Sequence, residues 1–155
     1  MVAMGNAEEV LFIYKIVPSS AAVPTRSSGQ LPEDYLLPVS DLDRKSGFMH
    51  MSTAAQISNT LKNFFPTSSS PIDSIYLLKV PYKPLKERGL VRWEDPDGKI
   101  GGPRDGEGMF PHIYDDRQFK LSHEEVESVF ELVSEAGEIG WEPALSRVTE
   151  KGWLV

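Results

Sequence analysis

The chain has no cysteine. That excludes disulfides, thiolate metal ligands and cysteine nucleophiles. Histidine is scarce, with three in 155 residues, so any imidazole chemistry has to come from His50, His112 or His123. No apolar run approaches the roughly 18 residues that a membrane-spanning helix needs. The segment from Met1 to Val10 lacks the basic and apolar regions of a secretory signal. A basic surface is also missing. The net charge of −7 and pI near 5.0 argue against a general nucleic-acid binder. There is no Gly-x-Ser-x-Gly elbow and no Gly-Lys-Ser/Thr phosphate loop. The default expectation is a cytoplasmic or nuclear protein with no membrane association, and the residue pairs described below suggest a small-molecule ligand.

The residues that are present describe one domain. With 40% hydrophobic and 25% charged residues, a chain of this length can bury a sizeable core. Residues 1–9 read as a flexible N-terminus and 10–155 as a single domain. Val10 to Val17 is nearly continuous in β-branched and aromatic residues, which predicts a central strand covered on both faces. Residues 18–30 read as a mobile loop, and 31–42 as irregular but packed. Thr53 and Gln56 fit a capping box for a helix running to about Phe65, with Ile57, Leu61, Phe64 and Phe65 on its apolar face.

Further strands are expected over Ile72–Val80, Leu90–Glu94 and Met109–Tyr114, with a short turn or helical segment over Leu85–Gly89. Residues 95–108, with five glycines and two prolines, read as a long loop that is either a lid or an insertion. Residues Gln118–Leu121 continue the sheet. Ser122 and Glu125 fit a second capping box, and Val126, Val129, Phe130 and Val133 follow at helical spacing, so a helix closed by Gly137 is predicted there. The tail, residues 138–155, carries enough apolar mass to pack. The fold class is α+β, with a mainly antiparallel sheet and few helices.

Three stretches share one format. In Gly47–Thr53, strand alternation puts Phe48, His50 and Ser52 on one face and Met49 and Met51 on the other. Arg92 and Glu94 flank Trp93, and His112 and Tyr114 flank Ile113. The residue types suit a ligand pocket. Arginine offers a planar donor fork for phosphate. Glutamate can accept from a hydroxyl or act as a base. The helix start after Ser52 favours an anion or a carbonyl oxygen. Two site chemistries fit. One is a metal triad of His50, Glu94 and His112, which would serve a metal-dependent hydrolase or oxygenase. The other, adopted here, is a metal-free organic-ligand pocket, with His50 and Ser52 on a ribose or amide, Arg92 on a phosphate and Tyr114 on a ring. A bland structural role is open for every one of these residues, and His123, in a first helical turn, is given none.

Ile13-Tyr14-Lys15-Ile16, Gly47-Phe48-Met49-His50-Met51-Ser52-Thr53, Arg92-Trp93-Glu94 and Phe110-Pro111-His112-Ile113-Tyr114 resemble, in order, the signature blocks of the family called domain of unknown function 952. The resemblance covers about residues 11–121, with 122–155 as a C-terminal extension. It implies an ADP-ribosyltransferase-like fold with a split antiparallel sheet, and NAD as the ligand. His50-Met51-Ser52 is similar to the His-x-Ser/Thr element that contacts the NAD ribose in that superfamily. Its transferases also use a late glutamate to stabilise an oxocarbenium-like transition state. The late strand here carries His112 and Tyr114, so Glu94 takes that place. The expected function is NAD-dependent ADP-ribosyl transfer or NAD cleavage, with His50, Glu94 and His112 as catalytic residues and His50, Ser52, Arg92 and Tyr114 binding the nucleotide. The alternative of a non-catalytic ligand- or protein-binding module stays open.

Overall fold

A computed structural model describes residues 10–18, 23–24, 29–64, 74–101, 108–114, 121–134 and 140–155. Among the described residues, seven strands form two antiparallel sheets. The first contains β1 (Phe12–Pro18), β3 (Ser74–Pro81) and β7 (Ser128–Val133), in the order β1-β3-β7. The second contains β2 (Met49–His50), β4 (Val91–Glu94), β5 (Ile100–Gly101) and β6 (Phe110–Ile113), in the order β2-β6-β4-β5. The described residues also contain four short α-helices, α1 (Asp41–Ser46), α2 (Ile57–Phe64), α3 (Tyr82–Glu87) and α4 (Glu142–Glu150), with a 3-10 turn over Ala54–Gln56 leading into α2. The α+β class with antiparallel sheets and few helices is as expected. Among the described residues, no helix is long and apolar enough to cross a membrane.

Two apolar clusters account for the layering. Ile13 and Val17 of β1 and Leu78 and Val80 of β3 pack against Met49, Trp93 and Ile113 of the second sheet and Met51 just after β2. On the opposite face of the first sheet, Tyr14, Ile75, Leu77 and Leu132 pack under Ile57 and Leu61 of α2 and Ala144, Leu145 and Val148 of α4. Ile57 and Leu61 are fully buried, and each contributes about 1.5–3 kcal/mol by leaving water. The central strand is β3, buried on both faces. β1, expected to be central, stands at the edge of its sheet. Its outer edge is not left open, because Tyr14 and Ser52 exchange backbone hydrogen bonds of 2.7 and 2.9 Å. Through that bridge the segment after β2 is tied to the first sheet.

The helix expected after Ser122 is instead β7, paired along β3 from Ser74↔Val133 to Lys79↔Ser128. Half of the capping box forms: Ser122 N–H donates to Glu125 Oε1 at 2.9 Å, but Ser122 Oγ accepts from Glu124 N–H at 3.2 Å, and Glu125 N–H turns to the Ser122 carbonyl. They close only a turn. The four apolar residues do not share a helical face. Val126 and Val129 enter the core between the sheets, Phe130 lies on the other side, and Val133 is 46% exposed. A valine-rich segment beside an unpaired edge of β3 gains a full ladder of hydrogen bonds, and this outweighs the local helix signal.

The glycine-rich 95–108 segment begins as a hairpin and not as an open loop. Asp95 Oδ1 accepts from the N–H groups of Asp97 and Lys99 at 3.0 and 2.8 Å, which turns β4 into β5. Its stretch 102–107 lies outside the described residues, as do 1–9, most of the 18–30 loop, Phe65, the first two residues of the Ile72 strand, 118–120 and Gly137. The charged segment 41–46 is α1. Ser40 caps it by accepting from Asp43 N–H at 3.1 Å, and Gly47 ends it in the left-handed conformation at φ 80°.

Candidate functional site

The alternation of the second sheet explains its two faces. Met49, Trp93 and Ile113 point into the core. The opposite face carries His50, His112 and Arg92 in one row, because His50 pairs with His112 and His112 pairs with Arg92 in the register. The remaining polar residues follow at a spacing of two. Glu94 lies beyond Arg92 on β4, and Tyr114 beyond His112 after β6. The imidazole rings of His50 and His112 have centroids 5.2 Å apart. Phe48 stacks on His112 at 4.2 Å and lies 4.5 Å from His50 and 5.1 Å from Tyr114. The Arg92 guanidinium carbon sits 4.3 Å from the centre of the Tyr114 ring.

Each histidine is fixed by a carboxylate. His112 Nδ1 donates to Glu94 Oε1 at 2.8 Å, and the Tyr114 hydroxyl donates to the same oxygen at 2.7 Å. Burial alone would raise the Glu94 pKa, but the hydrogen bonds from Tyr114 and His112, with the charges of His112 and Arg92, bring it below its ordinary value. Burial and the Glu94 charge push the Tyr114 phenol up to about 12. Burial holds the His112 pKa below its usual value, even though Glu94 pulls the other way.

His50 Nδ1 donates to Asp43 Oδ1 at 2.7 Å, and His50 N–H donates to the same oxygen at 3.1 Å. Lys15 Nζ donates to the other oxygen of Asp43 at 2.6 Å and to the His50 carbonyl at 3.1 Å. Asp43 is buried, which by itself would raise its pKa. The hydrogen bond from His50 and the charge of Lys15 outweigh that and bring it down to about 2. At Lys15 the balance is reversed, and burial keeps its pKa below the ordinary amine value despite Asp43. Since both carboxylates are held ionised and can only accept, the proton on each neutral imidazole stays on Nδ1. Each Nε2 is then left as an acceptor, with no partner among the described residues.

The predicted site residues are thus mostly brought together. His50, His112, Glu94, Arg92 and Tyr114 form one connected group. Ser52 is buried two residues beyond His50, and its backbone carries the bridge to Tyr14. Its hydroxyl makes no hydrogen bond to the group. The helix start after Thr53 is also occupied: Thr53 N–H donates to Gln56 Oε1, and Gln56 Nε2 donates to the Met109 carbonyl at 2.6 Å. Among the described residues, no three His, Asp or Glu side chains are arranged to hold a metal ion. Sequence reading missed Asp43 and Lys15. The available signals were Ser40 and Gly47, which bracket a helix containing Asp43, and the lone charge of Lys15 inside an apolar strand.

Comparison with known proteins covers three of the four blocks, since the match begins after Ile13-Tyr14-Lys15-Ile16 and runs past residue 121. The family model described as "Protein of unknown function (DUF952)" matches residues 18–129, a span that ends inside β7. The crystal structure of protein CC0527 from Caulobacter crescentus is similar, with 25% identity and a TM-score of 0.56, over 87% of this chain and 98% of that one. A double-methionine variant of the same protein matches at 24% identity, with the same score and coverage. No curated protein matches this chain.

Proposed function

The chain belongs to the DUF952 family of proteins of unknown function, and on that premise we propose that its histidine-bearing face binds a small phosphorylated ligand of the nucleotide type. The observation that carries this reading is the cross-strand row of His50, His112 and Arg92, flanked by the rings of Phe48 and Tyr114. Arg92 is exposed and supplies a fork of donors for a phosphate. The two Nε2 atoms accept from ribose hydroxyls or, when protonated, donate to phosphate oxygens. Phe48 and Tyr114 supply apolar ring faces for a base.

The finer reading is that the two antiparallel sheets form an ADP-ribosyltransferase-like cleft, with NAD as the first nucleotide to test. In cleavage of NAD, the ionised Glu94 would face positive charge developing on the ribose. Titration calorimetry with NAD and with 5′-AMP tests the binding. Loss of one charge-assisted hydrogen bond is worth about 1.5–3 kcal/mol, so Arg92→Ala and His50→Ala should each weaken binding by about tenfold or more. Failure of both nucleotides to bind the wild-type chain would sink the proposal. Release of nicotinamide from bound NAD separates an enzyme from a non-catalytic binding module.

A further inference from the structure

The two histidines are more than binding groups, because each is tied at Nδ1 to its own ionised carboxylate and its Nε2 has no partner among the described residues. We infer that His50 and His112 form an acid–base pair for hydrolysis of a phosphodiester, with a nucleoside cyclic phosphate as the substrate class. This rests on the nucleotide site proposed above and adds the reaction.

Cleaving the nicotinamide bond of NAD needs no proton donor, since nicotinamide departs as a neutral molecule. It would leave two oriented imidazoles without a task. Sugar hydrolysis with a carboxylic acid as donor requires a protonated carboxyl, but Asp43 and Glu94 each accept from an imidazole N–H and from a second donor. Acyl transfer through a side-chain nucleophile finds no cysteine and no serine hydroxyl bonded to either imidazole among the described residues. Displacement at phosphorus uses what is present: a base for the nucleophile, an acid for the leaving oxygen and a cation for the non-bridging oxygens. Rings with centroids 5.2 Å apart can reach the attacking and departing oxygens of one phosphate through hydrogen bonds of about 2.6–3.2 Å. Arg92 lies next in the same row.

In the step, a water oxygen bonds to phosphorus and one ring P–O bond breaks. The water's proton passes to His112 Nε2, and the released ribose oxygen takes the proton from His50 Nε2. The product is a nucleoside monophosphate, and the next turnover begins after the two imidazoles exchange their protons with solvent. Each imidazole is held among charged groups from several elements. His50 is half-buried and faces Asp43 from α1, the Lys15 ammonium from β1 and His112 from β6. His112 is buried and faces Glu94 and Arg92 from β4, Tyr114 beyond its own strand, and His50.

The test uses the full chain with nucleoside 2′,3′-cyclic phosphate, followed by ³¹P NMR, alongside calorimetry with 5′-AMP. The expected result is conversion to a monophosphate with a bell-shaped pH–rate profile. His50→Gln and His112→Gln should each lower kcat by about 10²–10⁴-fold, with circular dichroism unchanged, and each should remove one limb of the bell. The wild-type pH profile is an independent readout if a variant misfolds. Binding of 5′-AMP without turnover would overturn this inference and leave the binding proposal standing. Absence of both would remove both. Turnover that persists in the two folded variants would also overturn it.

Discussion

The two histidine–carboxylate pairs are built alike around the imidazole and differently behind it. Asp43 divides its oxygens between His50 and the buried ammonium of Lys15. Glu94 receives His112 and the Tyr114 hydroxyl on one oxygen. One carboxylate is therefore held by a charge taken out of water, the other by neutral donors and the exposed Arg92. A buried ion pair contributes little net stability, yet losing one member leaves the other charged in an apolar setting. A carboxylate held by neutral donors loses only hydrogen bonds when a donor is removed. The His50 pair is consequently the brittle half of the site and the His112 pair the tolerant half.

The comparison is tested most severely at Asp43. Asp43→Ala leaves the Lys15 ammonium buried and unpaired, and denaturant unfolding at pH 7 should show a loss of about 3–5 kcal/mol. A loss under 1 kcal/mol would mean that the Lys15 charge escapes to solvent. The pH dependence has a definite sign. Asp43 is depressed from 3.8 to about 2 in the folded state, so its contribution is present above about pH 3.8 and is lost as pH falls toward 2. The shift corresponds to about 2 kcal/mol, part of which is offset by burying the Lys15 charge. Glu94 is depressed too, so its contribution is likewise lost on acidification through its folded value.

How much of this could be read from the sequence depended on the range of the interactions involved. Strands β3, β4 and β6 and the capped turn that leads into α2 follow from residue type over a few positions. The polar face of the second sheet follows from alternation alone, which is why His50, Arg92, Glu94, His112 and Tyr114 could be grouped before any pairing was known. Asp43 could not be, because its role arises from α1 folding back onto β2 and from Lys15 crossing between the sheets. The β7 segment was misread for a related reason. Its capping box is local and its partner strand lies about fifty residues earlier, so the helix signal is visible in the sequence and the open edge of β3 is not.

A middle-sized effect separates stability from positioning. Replacing the pair together, Lys15→Met with Asp43→Leu, removes both buried charges. The double variant should recover most of the stability lost by Asp43→Ala, since apolar residues of similar volume replace buried ion pairs at little cost. It should not recover ligand binding, because His50 loses the acceptor of its Nδ1 proton and the Lys15 bond to its carbonyl. Calorimetry on the double variant decides the point. Nucleotide affinity equal to wild type would show that the Asp43 carboxylate does not orient His50.

The smallest effect belongs to the tolerant half. Tyr114→Phe removes one neutral donor from Glu94 and leaves the His112 bond in place. The expected cost is about 0.5–1.5 kcal/mol of stability, well below that of Asp43→Ala. The phenol itself reports on the bond. In the wild-type chain the last tyrosines to ionise should include one near 12, raised by burial and by the Glu94 carboxylate. Ultraviolet titration of wild type against Tyr114→Phe assigns it by difference. Glu94→Gln then sharpens the result, because it keeps an acceptor for Tyr114 while removing the charge. Tyr114 should ionise closer to its ordinary value of 10.0 in that variant. If it does not, burial alone sets the phenol, and the Glu94 charge contributes less to this half of the site than the 2.7 Å bond suggests.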